Sequence, residues 1–315
     1  MTDESPPPFA AELQRLANAQ AVLISDGGLS TELESRGYDI SDYLWSARIL
    51  KDDPAAILEV HRAFFAAGAD IATTATYQAT FQGFARAGLD RGQATKAMEL
   101  GVRLAQEAAS EVADRPTYVA ASIGPYGAML ADGSEYRGNY GVSKQQLRDF
   151  HRPRLEAMVE FAPDILAVET IPCALEVEAL CEELVRLRVP SWVSLSVSDG
   201  CTRAGEPLHD AYSMLGDVPS VVAVGVNCST PVDVATAVTM ASQATSKPIV
   251  AYPNSGEGWD ATARSWQGNE EWQTHAAASD WLQRGATVVG GCCRVHPEQI
   301  RELAQWATTA HKRSP

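Results

Sequence analysis

The chain has 315 residues, a formal net charge of -15 and 45% hydrophobic residues. That length suits one α/β barrel with a sizeable core. The acidic balance argues against nucleic-acid binding, and without an 18-residue apolar run no membrane-spanning helix is expected. The first residues, Met1-Thr2-Asp3-Glu4-Ser5-Pro6-Pro7-Pro8, lack the basic and apolar stretches of an export signal. A cytoplasmic location is therefore expected, with the six cysteines as reduced thiols.

Residues 1–8 read as a tail and 9–19 as a short amphipathic helix. Residues 1–20 are thus an extension ahead of one domain, 21–315. A repeating rhythm then begins. Val22-Leu23-Ile24-Ser25 is a short apolar run that stops at Asp26-Gly27-Gly28. Helical pattern follows, breaks near Gly37-Tyr38-Asp39 and resumes over 54–67, with Pro54 in the first turn. Further apolar runs cover 71–75, 118–123, 165–169, 192–197, 221–226, 249–252 and 287–289, each followed by helical pattern. Near-continuous apolar strands alternating with helices indicate a parallel sheet covered on both faces. Eight such units suggest a closed (β/α)8 TIM barrel. The strand-to-helix links are long, notably 124–142, 198–208 and 253–268, and in this fold they build the functional face. No Gly-x-Gly-x-x-Gly follows the first strand, which weakens the doubly wound alternative.

The strand ends carry the polar residues: Asp26, then Thr73, Thr74, Thr76 and Tyr77, then Glu169, Asn227 and Asn254. Asp26 and Glu169 end apolar runs and need partners if buried; together they could receive an ammonium group. Cys228 ends the sixth run, and Gly290-Gly291-Cys292-Cys293 follows the eighth. Consecutive strand residues face opposite ways, so Cys292 and Cys293 can share a metal only where the strand has lost regularity. Gly290 and Gly291 are expected to allow that through their freedom in φ and ψ. Three thiolates would give zinc three ligands and an open fourth position, as in catalytic sites. Buried packing of small apolar thiols is the other reading. Cys173 and Cys181, eight residues apart on one predicted helix, read as structural, as does Cys201. His61, His151, His275 and His311 read as surface or satisfied residues, and neither His209 nor His296 is given a ligand role.

Several motifs in order resemble the homocysteine S-methyltransferase family. They are Asp26-Gly27-Gly28-Leu29-Ser30-Thr31-Glu32-Leu33, Leu44-Trp45-Ser46-Ala47, Thr73-Thr74-Ala75-Thr76-Tyr77-Gln78, Ser122-Ile123-Gly124-Pro125-Tyr126-Gly127-Ala128, Asp132-Gly133-Ser134-Glu135-Tyr136-Arg137-Gly138, Glu169-Thr170-Ile171-Pro172, Val226-Asn227-Cys228, Tyr252-Pro253-Asn254-Ser255-Gly256-Glu257 and Gly290-Gly291-Cys292-Cys293-Arg294. The resemblance implies that Cys228, Cys292 and Cys293 hold Zn2+ and carry the catalysis, with L-homocysteine bound through sulfur. It further implies that Asp26, Gly27, Gly28 and Glu169 bind the amino-acid end of homocysteine; Thr76 and Asn227 join them as candidate substrate contacts. The 124–138 loop looks closest to the enzymes that use a sulfonium donor, S-methylmethionine or S-adenosylmethionine. Tyr126, Tyr136 and Trp45 are candidate aromatic contacts for that cation. Betaine or a methylated folate as donor, selenocysteine as acceptor, and a non-catalytic zinc or redox sensor are the alternatives. Val295-His296-Pro297 departs from the Thr-Thr-Pro that commonly follows the cysteines in the family.

Overall fold

Eight short parallel strands pair in chain order, each at one of the expected apolar runs. In this computed structural model, which describes residues 8–40, 44, 46–260, 265–267 and 274–310, they are β1 (Leu23–Ile24), β2 (Ile71–Thr73), β3 (Tyr118–Ile123), β4 (Ile165–Ile171), β5 (Ser191–Leu195), β6 (Val221–Asn227), β7 (Ile249–Tyr252) and β8 (Ala286–Val289). β1 pairs with β8, Leu23 opposite Val288. A parallel bridge between Ser25 and Ile71 joins β1 to β2 and closes the barrel.

Alternation along each strand sorts the apolar side chains into two cores. Leu23, Ile71, Ala120, Ile165, Ala167, Trp192, Ala223, Val250, Tyr252 and Val288 form the inner one. Ile24, Ala72, Ala121, Leu166, Val193, Val224, Ala251 and Val289 belong to the outer one, packed with the helices. Every strand is thus apolar on both faces, which is why the runs lack a polar alternation. Trp192 occupies an interior otherwise supplied with small residues at Ala120, Ala167 and Ala223.

The helix Pro8–Ala19 packs under this barrel. Its buried Phe9, Leu13 and Leu16 belong to the inner core. Phe9 lies 4.5 Å from Tyr118, the first residue of β3, so the helix covers the end where strands begin. The helix Pro54–Ala67 has Pro54 in its first turn and ends at Gly68 with φ 107°. Residues 1–7 of the expected tail lie outside the described residues, as do His311 and the His275 side chain.

Three details differ from the sequence reading. A helix, Ser46–Asp52, occupies part of the stretch between Gly37 and Pro54 that reads as irregular. Cys173 is the residue preceding the helix Ala174–Leu187 and is not on it with Cys181. His151 agrees with its reading as a satisfied residue: it is enclosed, with Nε2 2.8 Å from Glu176 Oε1. His61 is enclosed too and neither ring nitrogen has a hydrogen-bond partner. Burial pushes its pKa down to about 4, so it is a neutral core residue. Among the described residues, no helix is long and apolar enough to cross a membrane.

Because Leu13 is fully enclosed between helix and barrel, Leu13→Ala is expected to cost about 2–5 kcal/mol. Denaturant unfolding measures this, with exposed Gln14→Ala as a control within about 0.5 kcal/mol.

Candidate active site at the mouth of the barrel

Two backbone turns meet where the strands end. After β1 the chain makes the Asp26-Gly27-Gly28 turn; after β8 it runs through Gly290-Gly291-Cys292-Cys293. Gly291 N donates to Asp26 O at 3.0 Å, and Gly28 N to Val295 O at 2.9 Å. A Cβ on Gly27 would stand 2.4 Å from Val295 O, one on Gly28 2.7 Å from Cys292 O, one on Gly290 2.6 Å from the Ser25 Cβ, and one on Gly291 2.2 Å from a Val295 methyl. None of these glycines adopts a left-handed φ. Their role is therefore space for close backbone approach, and the expectation that Gly290 and Gly291 supply unusual φ values is corrected.

The seam delivers two of three thiols. Cys292 N donates to Pro253 O at 2.7 Å and Ser255 N to Cys293 O at 3.1 Å, which fixes both residues against the segment after β7. As the pleat argument requires, both cysteines lie beyond the end of β8. Cys228 follows β6 directly and takes φ 47°, a left-handed value that costs a non-glycine residue about 1–2 kcal/mol. The three sulfurs lie within 4.8 Å of one another. Cys228 Sγ is 2.7 Å from Cys292 Sγ and 3.8 Å from Cys293 Sγ. Hydrogen bonds from Cys292 and Cys293 hold the Cys228 thiol well below its ordinary pKa, against the effect of burial. The same bonds to Cys228 push Cys292 and Cys293 up. The cluster thus favours one negative charge, shared among three soft donors. No disulfide occurs among the described residues.

This donor set fits a zinc ion. Two thiolates on one tetrahedral zinc stand about 3.8 Å apart, given a Zn–S bond of about 2.3 Å; the Cys228–Cys293 spacing matches, and the 2.7 Å between Cys228 and Cys292 must open by about 1 Å to admit the ion. Among the described residues no histidine or carboxylate joins the cluster, which leaves a fourth position for another ligand.

Beside the thiols lie two buried carboxylates. Glu169, on β4, accepts from the Ser122 hydroxyl, and at 3.0 Å from the Tyr252 hydroxyl. Burial pushes its pKa up to about 7 despite these bonds. Asp26 accepts from Thr73 N and Thr73 Oγ1, each at 2.8 Å. Burial raises it also to about 7, and the charge of Glu169 adds to the effect. The Arg154 guanidinium is buried nearby and donates to the carbonyls of Thr76 at 2.7 Å, Tyr77 at 2.6 Å and Gly124 at 3.1 Å. Asn227 ties two strand ends together: its Oδ1 accepts from Thr170 N at 2.8 Å and Ser194 Oγ at 2.9 Å, and its Nδ2 donates to Thr170 Oγ1 at 2.7 Å.

A cleft open to solvent lies above these groups. Gly27, Gly28, Glu169, Asn227 and the three cysteines all line it, as expected at the outset. Asp26 sits behind the wall, with both oxygens on Thr73. Thr76, expected on the wall, also lies behind it: its hydroxyl donates to Ser122 O at 2.8 Å and meets Thr74 Oγ1 at 2.6 Å. Tyr136 lines the cleft; Tyr126 packs instead on Tyr140 and Phe150. Trp45 lies outside the described residues. The sequence reading missed Ser122, Tyr252 and Arg154. Ser122 and Tyr252 had a signal, since both are polar groups at the C-terminal ends of barrel strands.

A closed (β/α)8 barrel with a three-thiol cluster and buried carboxylates at its C-terminal mouth defines a barrel enzyme with a candidate metal centre. The chain belongs to the homocysteine S-methyltransferase family, whose model matches residues 23–307, and it is a methyltransferase. It is 43% identical over 306 residues to the homocysteine S-methyltransferase YbgG of Bacillus subtilis, covering 94% of this chain and 97% of that protein. It is 42% identical to the homocysteine S-methyltransferase of Escherichia coli, over 92% of this chain and 97% of that one. The metallated crystal form of the homocysteine methyltransferase MmuM from Escherichia coli superposes with a TM-score of 0.83 at 39% identity, covering 93% of this chain and 99% of that one.

A methyl group at Gly291 has no space. Gly291→Ala is expected to cost about 1–3 kcal/mol and to displace Cys292 and Cys293. Metal analysis of the two purified proteins, each loaded with the same metal, should then show less than half as much bound to the variant.

Proposed function

We propose that this protein moves a methyl group from a sulfonium donor, S-methylmethionine or S-adenosylmethionine, to the thiol of L-homocysteine, with zinc held by Cys228, Cys292 and Cys293. The observation that carries the reading is the three-thiol cluster, with no fourth protein ligand among the described residues, in the same cleft as buried Glu169. A metallated form of the Escherichia coli relative supports a metal here. Bound zinc is a Lewis acid that keeps a sulfur ligand deprotonated at neutral pH.

The chain's own residues orient the substrates. Glu169 receives the ammonium of homocysteine, steadied by Ser122 and Tyr252. Asp26 adds negative charge from behind Thr73 and fixes the turn whose Gly27 and Gly28 backbone faces the amino-acid end. Asn227 holds Thr170 beside Cys228. Tyr136 presents an aromatic ring to the donor from the 124–138 loop, which supports a cationic donor. The homocysteine sulfur then forms a bond to the methyl carbon as the bond from that carbon to the sulfonium breaks. Its electron pair stays on the donor sulfur, which leaves as a neutral thioether without a general acid. Holding the reactants in line is worth about 7–11 kcal/mol.

The test is a methyl-transfer assay with homocysteine as acceptor and S-methylmethionine, S-adenosylmethionine and betaine supplied separately. Methionine from a sulfonium donor, lost on chelation and restored by zinc, is expected. Cys293→Ser should lower both bound zinc and kcat/KM by at least about 100-fold; near-normal turnover by that variant would sink the metal assignment. Activity with betaine alone would replace the donor.

The carboxylates give a pH dependence. Both are pushed up to about 7 by burial, but Glu169 is the one that lines the cleft, and an ammonium group binds its ionised form. Homocysteine binding therefore strengthens as pH rises through 7 and weakens below it. From a pKa near 7, KM should rise about tenfold between pH 8 and pH 6. Glu169→Gln should raise KM throughout and flatten this profile.

A further inference from the structure

The loop after β3 carries an acidic group that the reading so far does not use. Glu135 stands in the single 3-10 turn Ser134–Tyr136 and is 2% exposed. Its Oε2 has no hydrogen-bond partner. Tyr136, the next residue, lines the thiol cleft, and its hydroxyl hydrogen-bonds to Cys228. The Glu135 carboxylate lies close enough to interact electrostatically with Cys228, Tyr77 and Tyr136.

The position is built. Gly133 and Gly138 bracket the turn with φ 78° and 75°. A Cβ on Gly127 would stand 2.4 Å from Glu135 N, so the helix Tyr126–Leu130 packs directly on the backbone of Glu135. Asp132 anchors the turn by accepting from Ser134 N at 2.9 Å. The neighbouring cations are committed elsewhere. Arg137 pairs with Asp132 at 3.7 Å and donates to its carbonyl at 3.2 Å. Arg203 lies 5.5 Å over the Tyr136 ring and donates to Ser196 Oγ at 3.1 Å and Cys228 O at 3.4 Å. Neither is hydrogen-bonded to Glu135. The carboxylate accepts from its own backbone N–H, and Arg137 adds longer-range attraction; with Oε2 unpartnered, a carboxylate enclosed this way is unfavourable unless a ligand supplies more opposite charge. Burial first, then the charges of Asp132 and Cys228, push its pKa up to about 7, as expected for a group awaiting a cation.

We infer that Glu135 is the counter-charge for the methyl donor's positive sulfur: with Tyr136 it forms a subsite that selects a sulfonium over an uncharged thioether or hydrocarbon of the same shape. The inference rests on the sulfonium-donor reading above. It explains how a cleft crowded with three thiols distinguishes a methylated donor from the thioether it becomes. Once the methyl group has moved, the positive charge is gone and so is the attraction to Glu135, which favours product release.

The experiment compares ligands that differ in charge and not in shape, on the full-length, zinc-loaded protein. S-methylmethionine is measured against homoleucine, its isostere with CH in place of the positive sulfur. If the wild type takes S-adenosylmethionine, the pair is that donor and its uncharged carbon analogue, with CH in place of the positive sulfur. The wild type should prefer the charged member at least tenfold. Glu135→Gln should weaken the charged ligand about 10- to 100-fold, move the uncharged one and the homocysteine KM by no more than about twofold, and leave zinc content unchanged. Glu135→Asp should retain part of the preference. Equal weakening of both ligands, or no weakening, overturns the inference and leaves Glu135 a structural member of the turn. A wild type without charge preference overturns it with no variant needed. A wild type that takes no sulfonium donor removes the donor reading itself, and this inference with it; an active wild type with an unchanged Glu135→Gln removes this inference alone.

Discussion

Between the Asp26-Gly27-Gly28 turn and the Gly290-Gly291-Cys292-Cys293 segment there is no room for a Cβ on any of the glycines. The site depends on this contact. β1 and β8 are neighbours because the barrel closes, and their chain ends must cross at the mouth within hydrogen-bonding distance. The crossing places Asp26 beside the second strand and the two adjacent cysteines beside Cys228 from the sixth. A bulkier residue at the seam would push apart the groups that a metal and an amino acid need together. Glycine is usually explained by its freedom in φ; here its lack of volume matters.

The polar groups at the mouth form chains rather than isolated pairs. The Trp192 indole donates to the Tyr252 hydroxyl at 3.2 Å, and that hydroxyl donates to Glu169 at 3.0 Å. Ser194 meets the same hydroxyl at 2.7 Å and also donates to Asn227. The inner core is thereby wired to the carboxylate at its rim. Such a network is stabilising only when its members are satisfied, and the members named here are. Against that rigid background Thr170 at φ 62° and Cys228 at φ 47° stand out as left-handed residues without the excuse of glycine. Cys228 directly follows Asn227, the last residue of β6, and Thr170 follows Glu169 near the end of β4; the neighbouring hydrogen bonds hold each there. Strain of this kind persists where the surroundings over-determine it, and here it turns a sulfur toward two others.

Much of this was legible in the residues. The eight strands announce themselves because burial on both faces makes each run apolar throughout. The thiols and Glu169 stand out because charged or reactive groups rarely end such runs without purpose. Gly27, Gly28 and Asn227 followed from the same placement. Thr76 shows the limit: it shares a strand end with Thr73 and Thr74, yet its hydroxyl turns back to Ser122 O, behind the wall. Tyr126 and Tyr136 look equivalent in the loop, but one packs on Phe150 and the other reaches Cys228. Arg154 gave no signal, since a basic residue on a helix normally reads as exposed.

The sequence by itself determined the architecture, the metal-type ligands and the family, because periodicity and residue chemistry are local properties of the chain. Tertiary structure alone decided which of two neighbouring hydroxyls or rings faces the cleft, why the glycines are needed, and that Glu135 is enclosed with one carboxylate oxygen unpartnered. These depend on contacts between segments far apart in the chain, such as Arg154 with Thr76 and Cys228 with Cys292. No local pattern encodes the distance between two segments until the barrel has closed.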